Sequence, residues 1–351
     1  MSEEVERPPR ALQLALGFVA ALVVAAIVVL GIGRLAGFTH LRDAVDDADF
    51  VWLLVCVAGQ MAVFAGYAGA LRHAVASEHG PHMAIAASVE LVLASFAATQ
   101  LLAFGGVGGL AIVYWALRRA GMSRQLASVR VIGLSTAVYL VFAVIAWGGA
   151  AWALAVARLP LGATVPWLAA IPIVLLAARW FTEPHRAARW DVGDRRHGRR
   201  ALAIGIGAAA WVRRSMHAPV GRPLFGWALV YWLGDIASLW AALRAFGATP
   251  GLATLVVAYT TGYLAQSLPI PFVATGGVDA ATTFLLRAFG VPLDIGLAAV
   301  VTHRLFAFWL PVVPGSVLAF NLPRLARRVS GGSVTEVWTG DCDVEGEAPP
   351  S

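Results

Sequence analysis

Asp279 and Arg304 are the residues of this chain that most need a chemical explanation, because each stands in a stretch otherwise made mostly of small and apolar side chains. A carboxylate in such surroundings is costly unless it caps a helix or meets a cation. Asp279 is placed to begin a half-helix, so capping and a substrate- or proton-linked role both stay open. The Arg304 guanidinium can pair with Asp279, or it can grip a lipid phosphate through two parallel N–H bonds. His303 beside it points to a different helix face and is assigned to packing. Asp235, twelve residues into the apolar run that begins at Leu224, and Glu90 are further ionisable groups expected in hydrocarbon. Each is either a proton relay or one half of a structural pair. Gln60, Gln100 and Gln266 either line the same polar path or hydrogen-bond between helices.

No paired carboxylates at catalytic spacing, no metal-ligand cluster and no nucleophile motif accompany these residues. Catalysis therefore has no direct support, and neither a metal nor a cofactor is expected. Every basic residue is Arg, and the absence of Lys excludes Schiff-base and P-loop chemistry. Cys56 lies in an apolar segment and Cys342 in the C-terminal tail, which suggests neither a disulfide framework nor a metal site. The formal charge is +6, but the Arg residues cluster beside apolar segments, where membrane topology explains them. Nucleic acid is not an expected partner.

The elements that position these groups must be membrane helices. Of 351 residues, 59% are hydrophobic and 13% charged, against about a quarter charged in soluble domains. Apolar runs long enough to cross roughly 30 Å of hydrocarbon include Ala11 to Gly33, Phe50 to Leu71 and Leu224 to Leu243. The first is expected to be a retained anchor rather than a signal peptide. Leu126 to Ala155, Val165 to Ala178 and Leu293 to Phe320 supply further crossings, for about six in all. Ala201 to Trp211 is long enough only for an interfacial helix or a shallow dip. Seven Arg between Arg179 and Arg200 mark the cytoplasmic side, which leaves both termini in the cytoplasm of a multi-pass cell-membrane protein. Residues 1–10 are a polar N-terminus, 11–325 the membrane domain and 330–351 an acidic tail expected to be disordered.

Two broken units, at about 83–120 and 251–290, form the main internal pattern. The first has a Gly-rich breaker containing Gly105, Gly106, Gly108 and Gly109; the second has Pro269, Pro271, Gly276 and Gly277. Leu117-Arg118-Arg119-Ala120-Gly121 overlays Leu286-Arg287-Ala288-Phe289-Gly290, about half a chain away. The first unit starts and returns on the cytoplasmic side and the second on the opposite side, so the two are inverted repeats. The expected fold is all-α and polytopic, with two broken or re-entrant helical hairpins. Matched breaks in inverted halves point to a transporter with its path near the bilayer midplane.

The stretches Leu268-Pro-Ile-Pro, Gly276-Gly-Val-Asp279, Gly290-Val-Pro and His303-Arg304-Leu-Phe-Ala-Phe-Trp-Leu-Pro resemble the flippase-like membrane domain of lysylphosphatidylglycerol synthases, and Gly105-Gly-Val-Gly-Gly109 through Ser123 extends the resemblance to the first half. The resemblance covers about residues 11–325. It implies movement of a lipid, an anionic phospholipid or a polyprenyl-linked molecule, between leaflets. Family members often carry an acidic residue in the first repeat that is missing here, and Asp279 stands where they carry Glu in the second. Only a short tail follows Phe320, so this chain is not expected to make a lysyl-lipid alone. The alternative is a membrane-embedded transferase or a partner that presents lipid to one.

Overall fold

The computed structural model describes residues 48–76, 83–101, 107–157, 159–187, 197–264 and 273–320. These are α1 (Phe50–Val75), α2 (Ile85–Leu101), α3 (Val107–Arg119), α4 (Arg124–Trp152, prolonged by a wide turn over Ala153–Ala157), α5 (Leu161–Phe181), the short α6 (Pro184–Ala187), α7 (His197–His217), α8 (Arg222–Ala245), α9 (Leu252–Tyr263), α10 (Val273–Ala288) and α11 (Leu293–Phe320). No strand occurs among the described residues. Helix is what lipid demands, since every backbone N–H and C=O must find its partner within the segment. Asp49 and Ser123 mark two helix starts: their side chains accept from the backbone N–H of Val51 at 2.9 Å and Leu126 at 3.2 Å.

Five stretches are long and apolar enough to cross a membrane: Phe50–Val75, Arg124–Val156, Leu161–Phe181, Arg222–Ala245 and Leu293–Gly315. The protein is therefore an all-α, multi-pass membrane protein. The expected crossing Ala11 to Gly33 lies outside the described residues.

α1 and α8 form the centre of the bundle and run antiparallel. The N–H of Asp49 donates to the carbonyl of Ala245 at 2.9 Å, at one end of the pair, and Gly66 and Gly69 meet Trp227 towards the other. Between them Gly59 and Gly234 face each other reciprocally: a Cβ on either would lie 2.8 Å from the other's carbonyl oxygen. Small residues at a crossing let membrane helices approach to backbone contact, and side-chain packing rather than water exclusion then holds them.

Helices α1–α4 repeat as α8–α11. α2 and α3 fold back on each other, with Gly109 against Ser95 and Thr99, just as α9 and α10 do, with Gly262 against Thr282. α2 packs on α11 and α9 packs on α4, so each hairpin rests on the long helix of the opposite half. The short arms end in the same cap. Gly121 (φ 91°) and Gly290 (φ 94°) donate to the carbonyls of Arg118 at 3.2 Å and Arg287 at 3.1 Å. Met122 and Val291 then reach back to Leu117 at 3.2 Å and Leu286 at 3.0 Å, completing the left-handed glycine terminus in both halves. Because α1 and α8 correspond and are antiparallel, the two halves are inverted. Ala at either Gly121 or Gly290 is expected to cost about 1–2 kcal/mol, the penalty of a Cβ at positive φ. Thermal unfolding of the detergent-solubilised variants checks this, and a cost at only one of the two sites would contradict their equivalence.

Two expectations about the breaks need correction. Gly108 and Gly109 lie within α3, and Gly276 and Gly277 within α10, so these four glycines do not interrupt helix. Gly109 instead provides the close approach to α2, which a Cβ would block. Gly105, Gly106, Pro269 and Pro271 lie outside the described residues. α7 is also longer than the Ala201 to Trp211 segment expected. It is an amphipathic helix whose Trp211 fits over Gly133 of α4, with the Arg130 guanidinium 4.8 Å above the indole.

One end of the bundle gathers Arg72, Arg118, Arg119, Arg124, Arg179, Arg213, Arg214 and Arg222, at the helix ends and loops that meet there. Arg72 Nε donates to Met83 O at 3.0 Å and Arg213 Nη1 to Thr182 O at 3.2 Å, tying neighbouring loops together at that end.

Candidate functional site

The chemistry gathers halfway along the helices. Asp235 sits near the middle of α8, Gln60 near the middle of α1 and His303-Arg304 in the first half of α11, while α9 and α10 contribute Tyr259 and Asp279. Helical spacing decides which of these share a face. Asp235 and Ser238 are three apart, and Cys56 and Gln60 four apart, so antiparallel packing of α1 on α8 sets the two pairs against each other.

Arg304 holds Asp279 through one edge of its guanidinium. Nε donates at 3.0 Å to each carboxylate oxygen, and Nη2 donates at 2.8 Å to Oδ1. Asp279 lies past the first turn of α10, which begins at Val273, so it does not cap that helix. The ion pair explains it. Nη1, on the opposite edge of the fork, makes no bond to a described residue, and the Arg304 side chain is 31% exposed.

The peptide bond from Arg304 to His303 joins this pair to a second group. Asp235 Oδ1 accepts from Gln60 Nε2 at 2.9 Å and lies 3.4 Å from His303 Nε2; Oδ2 accepts from the Tyr259 hydroxyl. His303 Nδ1 and Gln60 Nε2 both meet Ser238 Oγ, at 3.1 and 3.0 Å, and Ser238 Oγ lies 3.1 Å from Cys56 Sγ. Gln60 Oε1, fully buried, has no hydrogen-bond partner. The side chains of His303, Asp235 and Asp279 are 12%, 15% and 17% exposed, so the cluster is neither sealed in the core nor spread on the outer face. An aromatic wall of Phe142, Trp232 and Tyr263 packs beside it, with Phe142 4.5 Å from Trp232 and Tyr263 5.1 Å from Trp232 between ring centres.

Asp235, Asp279, Arg304 and Gln60 are thus brought together. Glu90 is not brought to them. Gly315 packs against Leu93 and Ala97 of α2, and α2 runs antiparallel to α11. Glu90 therefore lies further towards the arginine-rich end than a level already about 16 Å along α11 from Arg304. The side chain of Gln100, and all of Gln266, fall outside the described residues. His303, assigned to packing, is instead the hinge of the network. Ser238 and Tyr259 went unrecognised. Ser238 could have been found as the residue one turn beyond Asp235 on the same helix face, whereas Tyr259 has no local signal among the other aromatics.

Among the described residues no group of His, Cys, Asp or Glu could hold a metal ion. The site is an arrangement of one fixed cation, two carboxylates and neutral donors. No curated protein matches the chain. Residues 16–315 match the family model described as the lysylphosphatidylglycerol synthase transmembrane region, and the chain belongs to that family.

Proposed function

We propose that this protein carries an anionic lipid, a phospholipid or a polyprenyl-linked headgroup, between the leaflets of the cell membrane. The observation that carries this reading is Arg304, held inside the bundle by Asp279 through Nε and Nη2 while Nη1 makes no bond to a described residue and the side chain is 31% exposed. Asp279 orients the fork, and a phosphate docks on the Nη1 and Nη2 hydrogens of the other edge. Arg is the side chain suited to this, because its planar donors match two phosphate oxygens. Family membership supports a lipid-related role.

Inverted repeats supply the movement. Exchanging the conformations of two equivalent halves turns a site open to one side into a site open to the other, while the midplane groups stay in place. The arginine-rich end faces the cytoplasm by the positive-inside rule, which also places both termini there.

The test is leaflet exchange in proteoliposomes that contain the purified protein and fluorescent phosphatidylglycerol or phosphatidylcholine, with the outer leaflet quenched by dithionite. Fast loss of protected phosphatidylglycerol, well above protein-free vesicles, is the expected result. Unchanged protection would overturn the proposal. The family's name also connects it to a lipid-modifying synthase, which favours a membrane-embedded transferase, or a lipid-presenting partner of a separate one, as the second reading. Covalent change of the lipid by the purified protein would support that one instead.

A further inference from the structure

We propose that each anionic headgroup arriving at Arg304 is accompanied by one proton, taken up at the His303–Asp235 pair, so that lipid and proton move together in the same direction. The proposal rests on Arg304 being the headgroup site.

Charge in the cluster leads to it. With His303 neutral, Asp235 and Asp279 contribute two negative charges and Arg304 one positive, leaving one negative charge in excess before any substrate arrives. Arg304 is already matched by Asp279. A bound phosphate would raise the excess to two inside a medium of low dielectric, where unpaired charge is far more costly than in water. A proton cancels the increment.

The geometry shows where it goes. Asp279 stays engaged by the fork, so the carboxylate lacking a full cation is Asp235, whose partners are the neutral donors Gln60 and Tyr259 and the ring of His303. The His303 ring lies between Asp235 at Nε2 and Ser238 at Nδ1. Nε2–H faces the carboxylate, so Nδ1 is the unprotonated nitrogen and the base, with Ser238 Oγ at 3.1 Å and the Gln60 amide nitrogen at 3.3 Å beside it; on protonation it keeps Ser238 as its acceptor, and Gln60 Nε2 keeps Asp235. A proton from water binds there, Nδ1–H donates to Ser238 Oγ, and the Ser238 hydroxyl hydrogen turns towards Cys56 Sγ. The resulting imidazolium is paired with Asp235. On release the proton returns to water on the far side with the lipid, and no covalent bond of the lipid is broken.

Gln60 Oε1 is buried without a hydrogen-bond partner, while Nε2 of the same amide meets Asp235, Ser238 and His303. The Asp235 oxygen at 2.9 Å fixes which side of that amide is nitrogen. The charged groups facing His303 are Asp235 from α8, Asp279 from α10 and Arg304 of its own helix; beyond them, Tyr259 of α9 bonds Asp235, Tyr263 of α9 lies near Arg304, Cys56 of α1 lies behind Ser238, and from α2 Glu90 lies well along the bundle.

The measurement uses the full chain in vesicles holding a pH-sensitive dye and fluorescent phosphatidylglycerol. A gradient of one pH unit, coupled one proton to one lipid, is expected to drive up to about a tenfold difference in lipid between leaflets, collapsing when an ionophore removes the gradient. Interior pH should shift with lipid movement. In His303→Gln the gradient-driven asymmetry is expected to fall to about onefold. Exchange that proceeds in the wild type with no asymmetry and no change of interior pH overturns the proton proposal while leaving the function in place. No exchange under any condition overturns both.

Discussion

Arg304→Ala is expected to abolish leaflet exchange and to lower the stability of the solubilised protein by about 3 kcal/mol. The stability loss arises from what is left behind. Asp279, 17% exposed, would lose three hydrogen bonds and its only described cation, and removing one partner of a buried pair typically costs about 3–5 kcal/mol. Partial exposure of both side chains puts the expectation at the low end of that range. The double variant Asp279→Asn with Arg304→Gln leaves two neutral, hydrogen-bonding side chains of similar size. It should recover most of the stability while exchange stays absent. Denaturation in detergent and the dithionite assay, run on the same preparations, separate the two effects. A double variant that transports at the wild-type rate would remove Arg304 from the mechanism.

Gly59→Ala is expected to have the second-largest effect, although it adds a single methyl group. Its Cβ would lie 2.8 Å from Gly234 O, 2.9 Å from Ser238 Cβ and 2.9 Å from Ser238 N, all on α8 and two of them backbone atoms. No rotamer change relieves that, so α1 and α8 must separate. Overpacking a tight core typically costs about 1–3 kcal/mol. Here the same shift also stretches the bonds from Gln60 to Asp235 and Ser238, one residue away. Exchange should fall at least tenfold together with the melting temperature. Gly226→Ala is the control on α8, since a Cβ there meets nothing within 4 Å and should be tolerated. Equal behaviour of the two variants would mean that the Gly59–Gly234 crossing does not set the site.

Membrane class and the repeat were legible because both rest on local signals. Long apolar runs fix which segments cross, and Leu117–Gly121 and Leu286–Gly290 carry the same cap in residues that can be compared by eye. The ion pair was half legible: an Asp and an Arg in apolar surroundings need partners, and each is the other's. The glycines misled, because Gly in a membrane segment serves equally to break a helix and to let two helices touch, and Gly109 does the second. His303 misled for a related reason. Adjacent residues on a helix point about 100° apart, which separates them on a single helix but not where α8, α10 and α1 surround α11. Ser238 and Tyr259 acquire their roles only from the antiparallel fit of α1 on α8 and the placing of α9, which no single segment records.

Native mass spectrometry of the purified protein, titrated with phosphatidylglycerol or phosphatidylcholine, reports most directly on whether the Nη1 edge of Arg304, turned away from Asp279, holds an anionic headgroup. One phosphatidylglycerol should remain bound to the wild type under activation that strips phosphatidylcholine, and the Asp279→Asn, Arg304→Gln variant should lose that preference. Equal retention of the two lipids, or a preference unchanged in the variant, would contradict a headgroup site at Arg304.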